Sequence, residues 1–182
     1  LDVSKNPKLK ILYCHHTNIR TVDVSHNPEL EELYCREMGL ESLNVSSNPK
    51  LKILSCRNNN FTELDVSANV ELTELYCNGN QLTKLNLSAN TQLLSIDCSK
   101  NNLVWLNIDN CGELTDLDCT NNNIAKINIG GCPKLVNFKY DSTTELVYVP
   151  VPPPPPGKPE ILTKTLNVAS VGTSYRVQLK AW

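Results

Sequence analysis

The chain has 182 residues, 40% of them hydrophobic and 20% charged, with a formal net charge of −2 at pH 7. That balance gives no electrostatic reason to expect nucleic acid or an anionic membrane as partner, and no apolar run approaches the roughly 20 residues that cross a bilayer. Eight cysteines invite a disulfide framework, but six of them, Cys14, Cys35, Cys56, Cys77, Cys98 and Cys119, recur every 21 residues and so mark a repeat.

Leu1–Thr21, Val22–Ser42, Leu43–Glu63, Leu64–Lys84, Leu85–Trp105, Leu106–Lys126 and Ile127–Val147 are seven contiguous copies of a 21-residue unit. Leu1, Val3, Leu9, Leu12, Cys14 and Ile19 are the apolar, inward positions of the first copy, and the same classes recur in nearly every later one. A single copy buries about six side chains at roughly 1.5–3 kcal/mol each, while ordering its backbone and side chains costs on the order of 20–40 kcal/mol. One copy therefore cannot fold alone. Stacking copies so that neighbours close each other's apolar shelf makes a solenoid.

Each copy opens on a corner. Ser4-Lys-Asn6-Pro7, Ser25-His-Asn27-Pro28 and Ser46-Ser-Asn48-Pro49 share Ser-x-Asn-Pro, in which Asn bonds nearby backbone and Pro presets φ. The corner Asn recurs at Asn69 and Asn90 and is replaced by Cys111 and Cys132 in the last two copies; these thiols sit at one corner of adjacent turns, either bridged or both free. After the corner, Leu12 and Cys14 flank Tyr13 in the alternation of a short half-buried strand, which predicts one strand per turn. The cysteine ladder faces inward, and parallel in-register Cβ vectors suit disulfide geometry poorly, so its thiols act as small buried hydrophobes. A second ladder, Asn59, Asn80, Asn101 and Asn122 at the seventeenth position, can satisfy buried backbone groups; Thr17, Met38 and Thr143 interrupt it and predict looser turns there. Asn44-Val-Ser46 and Asn86-Leu-Ser88 match glycosylation acceptors, but the repeat consensus generates both.

The pattern LxxLxCxxNxL, as in Leu72-Thr-Glu-Leu75-Tyr-Cys77-Asn-Gly-Asn80-Gln-Leu82, resembles the core motif of leucine-rich repeats. The 21-residue unit with Cys in place of one strand Leu resembles the internalin J type of bacterial surface protein, over residues 1 to about 147. That resemblance implies a mostly β and coil repeat solenoid of the α/β type, a right-handed horseshoe with a parallel concave sheet, at the bacterial cell surface or outside the cell. At about 4.8 Å per strand, seven turns give a sheet roughly 34 Å across, room for one macromolecular partner.

The seventh copy decays, with Phe138 for the strand Leu, Tyr140 on the cysteine ladder and Glu145 where an apolar residue belongs. Larger aromatics suit a terminal turn with no neighbour on one side. Leu146–Val149 then reads as a closing strand, ending a leucine-rich-repeat domain over 1–149. Residues 150–159 form a proline-rich linker of polyproline II type spanning about 31 Å. From 160 to 182 the alternation of Tyr175, Val177, Leu179 and Ala181 predicts a hairpin turning at Val171-Gly172-Thr173. TKTLNVASVGTSYRVQLKA is similar to the opening of bacterial immunoglobulin-like modules, and a whole sandwich needs about 100 residues, so this is a partial module. The chain also opens on a repeat without a capping element, the expectation for a fragment of a longer protein.

Outward strand positions are the ones arranged to meet a partner. Copies one to four offer Tyr13, His15, Glu32, Tyr34, Arg36, Arg57, Glu74 and Tyr76; copies five to seven offer small polar and acidic groups, including Asp97 and Asp118. Tyrosines supply rigid area with hydrogen-bonding tips and arginines forked donors, the chemistry of a surface for a protein or glycan ligand, host-derived in the internalin-like reading. Strand-favouring tyrosines and cross-strand pairs would equally stabilise a purely structural or spacer element of the cell envelope, and an accessory role in polysaccharide capture is the other alternative. Asp97 and Asp118, with Asp116 beside them, could hold a calcium ion, although Lys139 on the next rung can neutralise Asp118. Trp105 reads as a lone exposed aromatic. Cys14 and His15 are adjacent but point to opposite faces, and no nucleophile–base or metal-ligand spacing accompanies His16. The expectation is a binding module without enzymatic activity, metal, cofactor or membrane-inserted segment.

Overall fold

The computed structural model describes residues 1–15, 17, 19–149, 165–170 and 173–178. Among them there is no helix: the repeat is built of three-residue strands and tight turns. The strands expected from the Leu-x-Cys alternation are β1 (Ile11–Tyr13), β2 (Glu32–Tyr34), β3 (Ile53–Ser55), β4 (Glu74–Tyr76), β6 (Ser95–Asp97), β8 (Asp116–Asp118) and β10 (Asn137–Tyr140). They pair in parallel and in register, as in Leu12↔Leu33, Leu54↔Leu75 and Ile96↔Leu117. Each central residue is buried and its neighbours face outward, so one long sheet presents a ladder of side chains at fixed positions.

Two expectations about strands are corrected. A second strand appears per turn from the opening of the fifth copy on: β5 (Lys84–Asn86), β7 (Trp105–Asn107), β9 (Lys126–Asn128) and β11 (Glu145–Val147). The Leu-x-Leu or Ile-x-Ile alternation there buries Leu85, Leu87, Leu106, Ile108 and Ile127 and turns polar neighbours outward, the period of a half-buried strand. The first four copies carry the same alternation, as in Leu64-Asp-Val66, without these strands, and nothing in their sequence explains the difference. The second correction concerns Glu145. β11 pairs β9 through Glu145↔Lys126 and Leu146↔Ile127, an offset of 19 residues rather than 21, so the last turn closes two residues early. Glu145 is thus an outward strand residue, its carboxylate 3.0 Å from Lys126 Nζ, and Leu146 takes the apolar place. Thr144, buried beside it, donates its hydroxyl to the Ile124 carbonyl at 2.8 Å.

Both asparagine ladders are built. At the seventeenth position Asn80 donates through Nδ2 to the carbonyls of Cys56 and Cys77 (3.2 and 2.9 Å) and accepts from the Phe61 amide at 3.1 Å; Asn59, Asn101 and Asn122 do the same on their rungs. The turn at Met38 is not loose: Met38 is buried, and its amide donates to Asn59 Oδ1 at 3.1 Å. Thr17 replaces part of the missing amide by donating to the Cys14 carbonyl at 2.9 Å. Just before this ladder runs a column of left-handed residues, Glu37, Asn58, Gly79, Lys100 and Asn121, with φ from 53° to 70°. Asn44 and Asn86, the glycosylation-like positions, accept the amides of Ser46 and Ser88 through their own side chains at 3.0 and 3.2 Å.

The cysteines are free thiols, all buried. Cys111 and Cys132 are unbridged: each Sγ donates to a buried carbonyl, Cys132 to Ile108 at 3.3 Å and Cys111 to Leu87 at 3.6 Å. Burial pushes the Cys35, Cys111, Cys119 and Cys132 thiols up to about 12. At the far end Phe138 and Tyr140 stack at 4.8 Å and fill the last shelf.

The expected C-terminal hairpin is present as β12 (Thr165–Ser170) and β13 (Thr173–Gln178), paired antiparallel, with β12 continuing the long sheet in parallel beside β10. The proline-rich stretch 150–159, the turn residues Val171 and Gly172, and Leu179, Ala181 and His16 lie outside the described residues.

Candidate functional site

On the outward face of the long sheet, the first four copies form an aromatic and charged ladder. Tyr13 and Tyr34 occupy equivalent places on adjacent strands, and their rings stack at 4.4 Å with planes 4° apart. That separation is close to the strand spacing, so the ring faces look along the ladder, from rung to rung. Tyr13 is 61% exposed, and His15 meets it edge-on at 6.1 Å. Tyr34 donates its hydroxyl to Glu32 Oε2 at 2.9 Å, and Tyr76 donates to Glu74 Oε2 at 2.8 Å. Partial burial, then the Glu32 carboxylate, pushes the Tyr34 hydroxyl above its ordinary range; burial and Glu74 do the same to Tyr76.

Between them, β3 carries Ser55 where the neighbours carry Tyr. Ser55 is wholly buried, because Arg57 folds back over it, Nε 3.3 Å from Ser55 Oγ and the guanidinium carbon 5.4 Å from the Tyr76 ring centre. Arg36, on the preceding rung, is half-buried and its Nε has no hydrogen-bond partner; Asn78 Oδ1 is also enclosed and unpartnered.

The acidic half differs. Asp97 accepts the amide and hydroxyl of Ser99 (3.1 and 2.6 Å), and Asp118 those of Thr120 (3.1 and 2.7 Å). Lys139 reaches Asp118 at 3.2 Å, and Asn137 donates to Asp116. Asp97, Asp116, Asp118, Asn137 and Lys139, with Ser95, line an open depression of about 210 Å³. No cluster of three or more His, Cys, Asp or Glu suited to a metal ion occurs among the described residues. The sheet thus brings Glu32, Tyr34, Arg36, Arg57, Glu74 and Tyr76 together, adds Tyr13 and His15 at one end, and continues at the other with Asp97 in register beside Tyr76 and Asp118 one rung farther. Cys14 is inside and His15 outside, as the alternation requires. Ser55 was the residue missed; its signal is its small size in a column of tyrosines.

Along the sheet margin, Glu31 is held between Lys10 and Lys52 at 2.8 and 2.7 Å, which lowers its carboxyl to about 2. Trp105 is 44% exposed on the outer strands, beside Val104. No helix of the described residues is long and apolar enough to cross a membrane.

No protein-family model and no curated protein sequence matches the chain. Solved structures do. The functional domain of InlJ from Listeria monocytogenes, described as including a cysteine ladder, is 31% identical over 82% of this chain and 38% of that one, with a TM-score of 0.60. A leucine-rich-repeat protein of Leptospira interrogans is 24% identical over 80% of this chain and 40% of its own, with a TM-score of 0.73. The leucine-rich-repeat domain of APL1B is 20% identical over 79% of this chain and 44% of its own, with a TM-score of 0.66. This chain therefore spans less than half the length of each of these. Parallel register, inward cysteines, asparagine turns and these neighbours together give the fold as a leucine-rich-repeat solenoid.

Proposed function

We propose that the chain is a non-catalytic, extracellular binding module of a bacterial surface protein, recognising a protein or glycan through the outward face of its long sheet, with host molecules as the class of partner. Residues 150–159 and 160–182 act in this reading as a spacer and the beginning of an immunoglobulin-like module that present the solenoid. The observation that carries it is the aromatic and basic half of the face: a stacked tyrosine pair, Tyr13 exposed and Tyr34 half-buried, beside Arg36, whose enclosed Nε lacks a partner. Rigid aromatic area next to forked donors is what binding hot spots are made of. The similarity to a cysteine-ladder domain from Listeria monocytogenes supports the same class.

A structural role for the sheet is favoured by one observation: the Tyr34 and Tyr76 hydroxyls already bond Glu32 and Glu74. The two readings separate in a glycan-array and mucin screen of the wild type beside Tyr34→Ala/Arg36→Ala. Selective binding, lost in the variant while its thermal melt stays native, is the expected result. A destabilised variant with no interaction altered would move the residues to a structural role, and loss of binding on changing the outer strands instead would place the site elsewhere.

A further inference from the structure

The long sheet's face holds a slot. Tyr34 and Tyr76 stand two rungs apart, about 9.6 Å at the strand spacing, and Ser55 between them supplies no ring. The Tyr34 face opposite Tyr13 looks into this gap, because the Tyr13–Tyr34 stack runs along the ladder. Its floor is Ser55, and its present occupant is the guanidinium of Arg57, leaning on Tyr76. A cation already lies where two π faces converge.

The slot is also polar along the strand direction. At one end stand Glu32 and Glu74, their carboxylates fixed against the tyrosine hydroxyls. Just past the other end of the three-residue strands, Arg36 and Arg57 follow on adjacent rungs, Arg57 folding back so that its guanidinium lies over Ser55. Arg36 has no ion pair or hydrogen bond to any described residue, and its Nε is enclosed without a partner. Half the gap is about 4.8 Å, which puts a rounded cation within cation–π range of both rings. A planar guanidinium stacks at about 3.5 Å and cannot meet both rings at once; the Arg57 guanidinium carbon, 5.4 Å from the Tyr76 ring centre, is not closely stacked on that ring.

Resting on the binding face proposed above, we infer that the Tyr34–Tyr76 slot is a subsite for a zwitterion carrying a quaternary ammonium next to a phosphate, the chemistry of phosphocholine. The trimethylammonium enters between the tyrosines at the carboxylate end, and Arg57 swings out of the slot. Its guanidinium then joins that of Arg36 as a two-arginine fork for the phosphate, the geometry arginine suits best. No bond is made or broken; one cation replaces another between the rings.

The test is calorimetric titration of the whole chain with phosphocholine, choline and inorganic phosphate separately. Phosphocholine should bind at least about tenfold more tightly than either part, and Arg36→Ala should reduce it to the affinity of choline. Arg57→Ala should raise choline affinity severalfold by vacating the slot, a sign that a merely structural arginine would not give. Ser55→Tyr completes the tyrosine column and should abolish binding without depending on a truncated, less stable fold. Trp105→Ala on the outer strands should change nothing. Phosphatidylcholine vesicles beside a phosphocholine–carrier-protein conjugate separate a membrane headgroup from a decorated polymer as the source. Absence of phosphocholine binding, or binding unaffected by Ser55→Tyr, overturns the inference. If phosphocholine fails while the glycan and mucin screen still finds a partner sensitive to Tyr34 and Arg36, the binding face stands without this subsite; if phosphocholine binds and the screen is empty, the macromolecular reading fails instead.

Discussion

Two asparagine ladders carry the same side chain under different demands. At the seventeenth position an amide uses both ends: Asn80 Nδ2 serves two carbonyls and its Oδ1 serves the Phe61 amide. At the corner, Asn69 and Asn90 each donate to two carbonyls, while their Oδ1 atoms are buried without a partner. A corner therefore asks only for a donor, and a thiol can supply one, which is why Cys111 and Cys132 can stand there. Asn90→Cys should cost under about 1 kcal/mol, whereas Asn80→Cys should cost roughly 3 kcal/mol, since buried backbone groups lose their partners; urea melts of the two variants check the contrast. Lys100 occupies the left-handed column at φ 53° with a Cβ that disfavours it. Lys100→Gly should raise stability by about 0.5–1 kcal/mol in the same assay.

At the scale of the element, the strand in the long sheet was readable from Leu-x-Cys because period two and turn residues agree on it. The second strand was not readable, because the alternation that forms it in copies five to seven is also present where no such strand forms. Glu145 shows a further limit. A fixed period of 21 assigned it to the core, while pairing with β9 shifts the register by two and turns it outward to Lys126. The period-21 counterpart of Glu145 is Ile124, which is buried in the turn before β9, so the offset of two moves Glu145 from an inward turn place to an outward strand place. Leu146→Asp should then destabilise the last turn by about 2–3 kcal/mol, with Glu145→Ala nearly neutral because its ion pair is exposed. Proteolysis of the C-terminal turns, followed by mass spectrometry, would report both.

For the whole molecule, the cysteine ladder makes stability depend on pH at the alkaline end. The folded thiols titrate near 12 in Cys35, Cys111, Cys119 and Cys132, and burial pushes Cys56, Cys77 and Cys98 well above the ordinary thiol value of 9.0. A group that holds its proton more tightly when folded stabilises the fold below its unfolded pKa, and that stability is lost as pH rises through the folded value. The thiols should therefore leave stability level between neutral pH and 9 and make it fall steeply from 9 toward 12, in a single transition if the turns are coupled. Cys77→Ala should flatten this fall slightly while costing about 1–2 kcal/mol at neutral pH through the lost sulfur contact. Circular dichroism melts across that range measure both.

The sequence by itself determined the repeat, its length, the inward cysteines and the outward columns, because each follows from chemistry recurring at a constant interval in one dimension. It also placed Tyr34, Arg36, Arg57 and Tyr76 on one face, because strand alternation is local. Only the tertiary structure decided how those columns interact. The stacking of Tyr13 on Tyr34 sets the direction of the rings, the small Ser55 lets Arg57 fold into the gap beside Tyr76, and Glu32 and Glu74 are held against the tyrosine hydroxyls. Those relations join residues within and between turns through side-chain rotamers, and no spacing along the chain encodes a rotamer.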